Sequence, residues 1–241
     1  MPYRKEQFIN GEIYHIVIRR ISNNLLFRDV DDYYRGIFSI YEFNTLKLVT
    51  IRERRQARAR LKKINRDPVS VVDHRDPLVE ILAFCFMPNH IHLLLRQLKK
   101  NGITKYMNKF GAGYPAYFKQ RYNIQTKGYF LQGRFSSVHI KTDEQLKTVF
   151  VYIHTNPISL IEPKWKETGI QNPGKAIKFL ENYKWSSYPD YIGKKNFPSL
   201  SKRKLISEII GGEQNCKKFV ENWIKYKGEI KKFPELALEE I

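Results

Sequence analysis

Leu78 to Phe86 is an apolar run broken only by Glu80, and after Met87-Pro88-Asn89 a second run, His90 to Arg96, begins. Apolar runs of this length bounded by turn residues read as strands, and a three-residue break containing proline joins them as a β-hairpin. Side chains on a strand alternate faces with period two. His90, His92 and Leu94 therefore point one way, and Ile91, Leu93 and Leu95 the other. The aliphatic face is suited to packing under a helix, which leaves two imidazoles together on the opposite face.

The rest of the chain supplies what such a hairpin packs against. Tyr14-His15-Ile16-Val17-Ile18 reads as a strand, and Asp31 to Phe43 as a helix from its apolar spacing. Ile103 to Tyr122 has helical spacing but contains Gly111, Gly113 and Pro115, so a bend or break is expected there. Tyr129 to Ile140 reads as a strand with Gly133 marking a bulge or close backbone approach. Thr142 and Gln145 form a capping-box pattern for a following helix. Leu146, Val149, Phe150 and Ile153 make its apolar stripe, and Pro157 ends it. Strands joined by hairpins and interleaved with helices predict an α+β fold, a ferredoxin-like antiparallel sheet packed with helices. Beyond Leu160 the pattern weakens. Asn172-Pro173-Gly174 reads as a turn, Trp185-Ser186-Ser187-Tyr188 opens an ordered patch, and Leu205 to Tyr226 is a helical tail that either packs on the core or reaches for DNA. The expected division is a main unit over 1–160 and a mainly helical C-terminal extension over 161–241.

Charge narrows the partner. Lys and Arg number 43 against 24 Asp and Glu, a formal net charge of +19. Such an excess suits a polyanion, because neutralising phosphates releases condensed counterions. A merely soluble basic protein or an anionic membrane surface would also fit. Fifteen tyrosines and fifteen phenylalanines favour nucleic acid, since unpaired bases stack on aromatic faces while cations follow the backbone. Arg52, Arg54, Arg55 and Arg58 lead a basic run to Arg66 that is either a solvated surface or a phosphate-binding arm. No apolar run approaches the roughly 20 residues that span a bilayer and no secretory signal is evident, so a cytoplasmic protein without membrane contact is expected. Cys85 and Cys216 form no paired motif, and Cys85 reads as a core residue.

Two imidazoles on a rigid strand are either a divalent-metal platform or ordinary structural histidines. Tyr152 lies beside the helical stripe, and Asn156, four residues on, shares its face if the helix persists. The pre-proline position of Asn156 works against helical backbone there. An amide oxygen at Asn156 would be a third metal ligand next to the Tyr152 hydroxyl. The competing reading makes Tyr152 a half-buried aromatic and Asn156 a helix cap.

Phe86-Met87-Pro88-Asn89-His90-Ile91-His92-Leu93-Leu94-Leu95 resembles the histidine-hydrophobic-histidine motif of the HUH endonucleases, in the form carried by single-tyrosine transposases. Tyr152-Ile153-His154-Thr155-Asn156-Pro157 resembles the nucleophile helix of that family, especially its REP-associated tyrosine transposase branch. Phe130-Leu131-Gln132-Gly133-Arg134-Phe135 and Trp185-Ser186-Ser187-Tyr188 resemble two further motifs of the branch, so that the match runs over roughly Phe8 to Gly193. The resemblance implies that His90, His92 and Asn156 bind Mg2+ or Mn2+ and that Tyr152 is the nucleophile. Asn stands at Asn156 where other relatives carry Gln, one methylene longer. The implied activity is nicking and rejoining of single-stranded or hairpin DNA through a 5′-phosphotyrosine link, with Arg134 and the arginine run contacting DNA.

Tyr114, Tyr117 and Tyr122 are rival tyrosines, ranked as packing or base-stacking residues because the motif falls on Tyr152. An alternative class is a non-catalytic single-stranded nucleic-acid binder, either a domesticated transposase or an RRM-like module. A zinc hydrolase or deaminase is disfavoured by the lack of H-x-E or paired cysteine ligands. Monomer and homodimer remain equally open.

Overall fold

The computed structural model describes residues 7–64, 75–125 and 128–226. Arg66 of the basic run and residues 227–241 of the C-terminal extension lie outside the described residues. Four strands form one sheet: β1 (Ile13–Arg19), β2 (Val79–Phe86), β3 (His90–Gln97) and β4 (Ser136–Ile140), in the order β2-β3-β1-β4 with every neighbouring pair antiparallel. With helices α1 (Val30–Glu42) and α2 (Ile51–Ile64) between β1 and β2, and α3 (Gly102–Arg121) between β3 and β4, this is the ferredoxin-like arrangement the sequence predicts.

The period-two alternation of β1 and β3 gives the sheet two different faces. Tyr14, Ile16, Ile18, Ile91, Leu93 and Leu95 enter one core with α1 and α3. Leu94 enters the other, under α4 (Asp143–Thr155). A register shift between Ile81 and Ala83 interrupts β2, and Leu82 and Ala83 both join the second core.

On the first face, α3 runs unbroken for 20 residues, contrary to the expected break. Pro115 sacrifices a backbone donor, but it is buried, and the packing of Tyr106, Phe110, Tyr114 and Phe118 along the same helix outweighs that local loss. Gly113 has a tertiary reason: a Cβ there would stand 2.3 Å from Phe43 Cζ. The helix end is tied to the start of α1 through Asp32, a fully buried carboxylate. Asp32 accepts from the hydroxyls of Tyr117 and Tyr122 and pairs with Arg121. Buried charge is retained only when so satisfied.

On the second face, Thr142 caps α4 as read from sequence, its hydroxyl accepting from Gln145 N at 3.2 Å. The Gln145 side chain returns to Lys141 N, at 2.8 Å, completing the reciprocal cap one residue earlier than the ideal pattern. The C-terminal helices α5 (Trp165–Thr168), α6 (Pro173–Asn182), α7 (Tyr188–Tyr191), α8 (Lys204–Ile210) and α9 (Glu213–Tyr226) pack with α4 in one core. Consequently α4 is covered on both sides, and every residue from Thr148 to Thr155 is buried.

Two further expectations are corrected. The segment read as a turn at Asn172-Pro173-Gly174 begins α6, with the Asn172 side chain accepting from Lys175 N and Pro173 in the first turn, where its missing donor costs nothing. The tail over Leu205–Tyr226 is two helices parted by Gly211 and Gly212, and it packs on the core. No helix among the described residues is long and apolar enough to cross a membrane.

Candidate functional site

The face of the sheet under α4 is where the predicted site residues meet. His90 and His92 project from β3 with ring centroids 4.8 Å apart and edge-to-face. Asn156 follows α4 directly and its backbone is right-handed helical (φ −50, ψ −40) despite the proline after it. A 3-10 turn over Asn156–Leu160, with Pro157 near its start, continues the helical path and overrides the pre-proline preference. This turn carries the amide onto the histidines: Asn156 Nδ2 donates to His92 Nε2 at 3.1 Å. One helical turn earlier, the Tyr152 ring stands edge-on to His92, with 5.6 Å between centroids. All four side chains are buried, Tyr152 to 2% exposure and His92 completely.

The hydrogen bonds assign the ring protons. With Asn156 donating to Nε2, His92 carries its proton on Nδ1, which donates to His15 Nε2 at 3.0 Å. His90 Nδ1 donates in the same manner to Asn89 Oδ1 at 2.6 Å. Each imidazole thus keeps Nε2 as its acceptor nitrogen, the form in which histidine binds a cation.

His15, on β1, was not singled out as a site residue in the sequence. Its signal was parity: on a strand whose Tyr14, Ile16 and Ile18 face the first core, His15 must face the second. Two other contributions also went unread. Lys166, on α5, places its ammonium 5.4 Å from the centre of the Tyr152 ring. His154 lies within the Tyr152–Pro157 motif, but its Nε2 bonds Ser187 Oγ at 2.8 Å, and burial pushes its pKa down to about 3. It is a neutral pin between α4 and the Trp185–Tyr188 patch, where Ser187 Oγ also accepts from Phe84 N.

The rival tyrosines are elsewhere. Tyr114 donates to Leu26 O, and Tyr117 and Tyr122 donate to Asp32, all in the α1–α3 layer on the opposite face of the sheet. Burial, and for Tyr117 and Tyr122 the neighbouring Asp32 carboxylate, raise their pKa values, which suits structural donors rather than nucleophiles.

Arg134 is corrected from a strand to a loop. The predicted strand over Tyr129–Ile140 is regular only from Ser136, because Gly133 takes a left-handed backbone (φ +56) and turns the chain. The loop instead walls a cleft of about 1230 Å³ against α3. Arg19, Lys100, Lys119 and Arg134 line it together with Phe8, Tyr129, Phe130 and Phe135, and none of the described lining residues is acidic. Arg19 connects the cleft with the histidines, since its register partner on β3 is His90. Arg52, Arg54 and Arg55 sit on α2, where Arg52 and Arg55 are exposed and Arg54 reaches Glu42 at 3.7 Å. Arg58 falls on the same helix, its side chain outside the described set.

Fold and site define the class as an α+β domain of ferredoxin-like topology carrying a histidine, amide and tyrosine cluster on one sheet face. Residues 45–156, a stretch that contains His90, His92, Tyr152 and Asn156, match the family model for IS200-like transposases. A solved structure of a REP-associated tyrosine transposase bound to a REP hairpin is similar over 83% of this chain and 90% of that chain, at 13% identity and a TM-score of 0.42. Among curated proteins none matches the sequence significantly.

Two imidazoles and a neighbouring amide make a donor set of the kind that holds a divalent cation. Among the described residues no three His, Cys, Asp or Glu side chains group closely enough to hold an ion by themselves, and the polar side chain that stands beside the two imidazoles is an amide. Asn156 is that amide. Its terminal atom and His92 Nε2 are 3.1 Å apart, and neighbouring donors on an octahedral ion with bonds near 2.1 Å stand about 3 Å apart. The His92–Asn156 spacing therefore suits an octahedral ion such as Mg2+ or Mn2+ once the amide turns to present its oxygen in place of Nδ2, with the His90 ring beside it, 4.8 Å from that of His92.

Proposed function

We propose that this protein is a transposase that nicks and rejoins single-stranded, hairpin-forming DNA, with Tyr152 as the nucleophile and His90, His92 and Asn156 as the ligands of Mg2+ or Mn2+. The observation that carries the reading is the placement of the Tyr152 ring 5.6 Å from that of His92, one helical turn before the Asn156 amide. A bound cation supplies Lewis-acid polarisation of a phosphate oxygen. Tyr152 Oη attacks phosphorus, its proton passes to solvent, and the phosphorus–oxygen bond to the departing strand breaks to leave a 3′-hydroxyl. The resulting 5′-phosphotyrosine conserves the ester bond, so a 3′-hydroxyl attacking later rejoins DNA and restores the phenol. Lys166, beside the ring, brings a positive charge to the place where the phosphate would enter.

The cationic, aromatic-lined cleft between α3 and the loop at Gly133 is suited to an unpaired strand leading to this centre, and the α2 arginines to duplex phosphates. We place the catalytic unit in 1–160, and within the extension over 161–241 the described helices α5 to α9 have the supporting role of burying the nucleophile helix.

Incubating the protein with Mg2+ and a hairpin-bearing single strand from its own genomic flank is expected to give a protein–DNA adduct stable to denaturing electrophoresis. Tyr152→Phe keeps the ring and deletes the hydroxyl, so it binds DNA and forms none. Tyr114→Phe, Tyr117→Phe and Tyr122→Phe each still form it. An adduct that persists in Tyr152→Phe moves the nucleophile elsewhere. Absence of adduct in every form, with DNA affinity intact, favours a binding-only protein.

A further inference from the structure

His15 lies outside the stretch that matches the family model, yet it is fully buried against the centre of the cluster. Its register partner on β3 is Leu94, and His92 stands opposite Val17, so the two imidazoles are diagonal neighbours on adjacent antiparallel strands. Their rings lie nearly parallel, 5.2 Å between centroids and 20° between planes, with His15 Nε2 3.0 Å from His92 Nδ1. The Tyr152 ring meets both edge-on, at 5.8 Å from His15 and 5.6 Å from His92.

A neutral imidazole has one donor and one acceptor nitrogen. Because Asn156 Nδ2 donates to His92 Nε2, the bond to His15 requires the His92 proton on Nδ1 and an acceptor lone pair on His15 Nε2. Were the proton on the other nitrogen, His92 would present a donor to Asn156 and have no lone pair there for a cation. An aliphatic side chain would fill the place of His15 without any desolvation cost, so a buried imidazole at this point has a use that packing does not explain. For His90 the equivalent proton acceptor is the adjacent Asn89, on a turn at the edge of the site. For His92, in the middle of the sheet, no sequence neighbour points the right way, and β1 provides it.

We propose that His15 is a positioning residue that fixes the tautomer and ring plane of His92, holding the Nε2 lone pair towards Asn156 and Tyr152. The fixing of the tautomer is a property of the protein alone, and its consequence for cation binding rests on the function proposed above. Orienting partners of this kind set metal affinity through the ligand they hold.

Two measurements test it. Long-range proton–nitrogen correlation spectra of ¹⁵N-histidine-labelled, metal-free protein are expected to show His92 protonated at Nδ1, and His15→Leu is expected to lose that single form. Mn2+ titration without DNA is then expected to show affinity reduced about 10- to 100-fold in His15→Leu and mostly restored in His15→Gln, whose amide oxygen also accepts. Both variants are compared by thermal unfolding, so that a general loss of structure is seen directly. A wild-type His92 protonated at Nε2 overturns the proposal without need of any variant, as does unchanged Mn2+ affinity in a folded His15→Leu. A wild-type protein that holds the Nδ1 form and loses it in His15→Leu, but binds no Mn2+, supports the lock and overturns the metal reading of the site instead.

Discussion

Asn156 and His92 are 64 residues apart in sequence and bonded at 3.1 Å in the folded chain, where the end of α4 crosses over the middle of β3. That bond joins the end of α4 to β3, and it sets the spacing of the cluster. Its integrity depends on the helical path continuing through Pro157 and on the second layer of helices pressing α4 onto the sheet.

Removal of one imidazole tests the cation site with least disturbance to the fold at His90. His90 Nδ1 donates to the adjacent Asn89, and the backbone pairing of β3 with β1 is kept in His90→Ala. The variant is expected to lose Mg2+- or Mn2+-supported cleavage by more than about 100-fold, since a direct ligand matters more than an orienting one, while DNA affinity stays within a few-fold. Gel-based cleavage and binding titrations on the same hairpin strand check both, and cleavage at the wild-type rate would remove His90 from the ligand set.

The arginines of α2 predict a salt effect. Arg52→Ala, Arg54→Ala and Arg55→Ala together are expected to weaken binding to every DNA sequence alike and to flatten the slope of log K against log salt by about 0.7 to 0.9 for each phosphate no longer neutralised. Arg134→Ala, in the cleft, is expected to discriminate more between single strands of different sequence. Fluorescence anisotropy across a salt series distinguishes these, and an unchanged slope in the triple variant would make α2 a solvated surface.

Packing of the C-terminal helices on one another has a pH-dependent component at Glu181. Its carboxylate bridges Lys217 of α9 at 2.8 Å and Lys194 at 3.1 Å, and the Lys217 hydrogen bond above all holds its pKa below the usual carboxylate range. A carboxylate whose folded pKa is depressed contributes stability above its unfolded pKa of about 4.3, and loses it as pH falls through the folded value. Glu181→Gln is expected to cost about 1 kcal/mol at pH 7. That gap should close as acid protonates the wild-type residue. Urea unfolding of both proteins from pH 7 to the acid limit measures it, and a gap constant with pH would show that the bridge does not contribute through charge.

Gly113→Ala should destabilise in spite of alanine's better helix propensity. The added methyl meets the Phe43 ring at 2.3 Å, and the ring is itself buried. A net loss of about 1–3 kcal/mol is expected from overpacking. Combining it with Phe43→Leu, which makes room, should cost less than the sum of the two single changes. Additive losses in chemical unfolding would place the strain elsewhere.

Much of this protein is local in origin and was legible as such. The hairpin, the two faces of β3, the cap at Thr142 and the apolar stripe of α4 follow from periodicities of 2 and 3.6 and from side chains that bond their own backbone. The same local patterns put His90 with His92, and Tyr152 with Asn156, on shared faces. Where local preference and tertiary packing disagreed, packing prevailed. Pro115 did not break α3, Asn156 stayed helical before Pro157, and the strand expected from Tyr129 gave way to a loop at Gly133.

By itself, then, the sequence determined the elements and which residues each presents. Only the tertiary structure decided which presented residues meet. The pairing of His15 with His92 depends on the register of β1 against β3, and a shift of one residue would send His15 into the opposite core. The distance from Tyr152 to the histidines depends on how α4 lies across the sheet, and that on the helices after Leu160, whose own pattern names no partner. Pairings between elements far apart in sequence arise from shape, register and burial summed over the whole chain, and no short window of residues contains them.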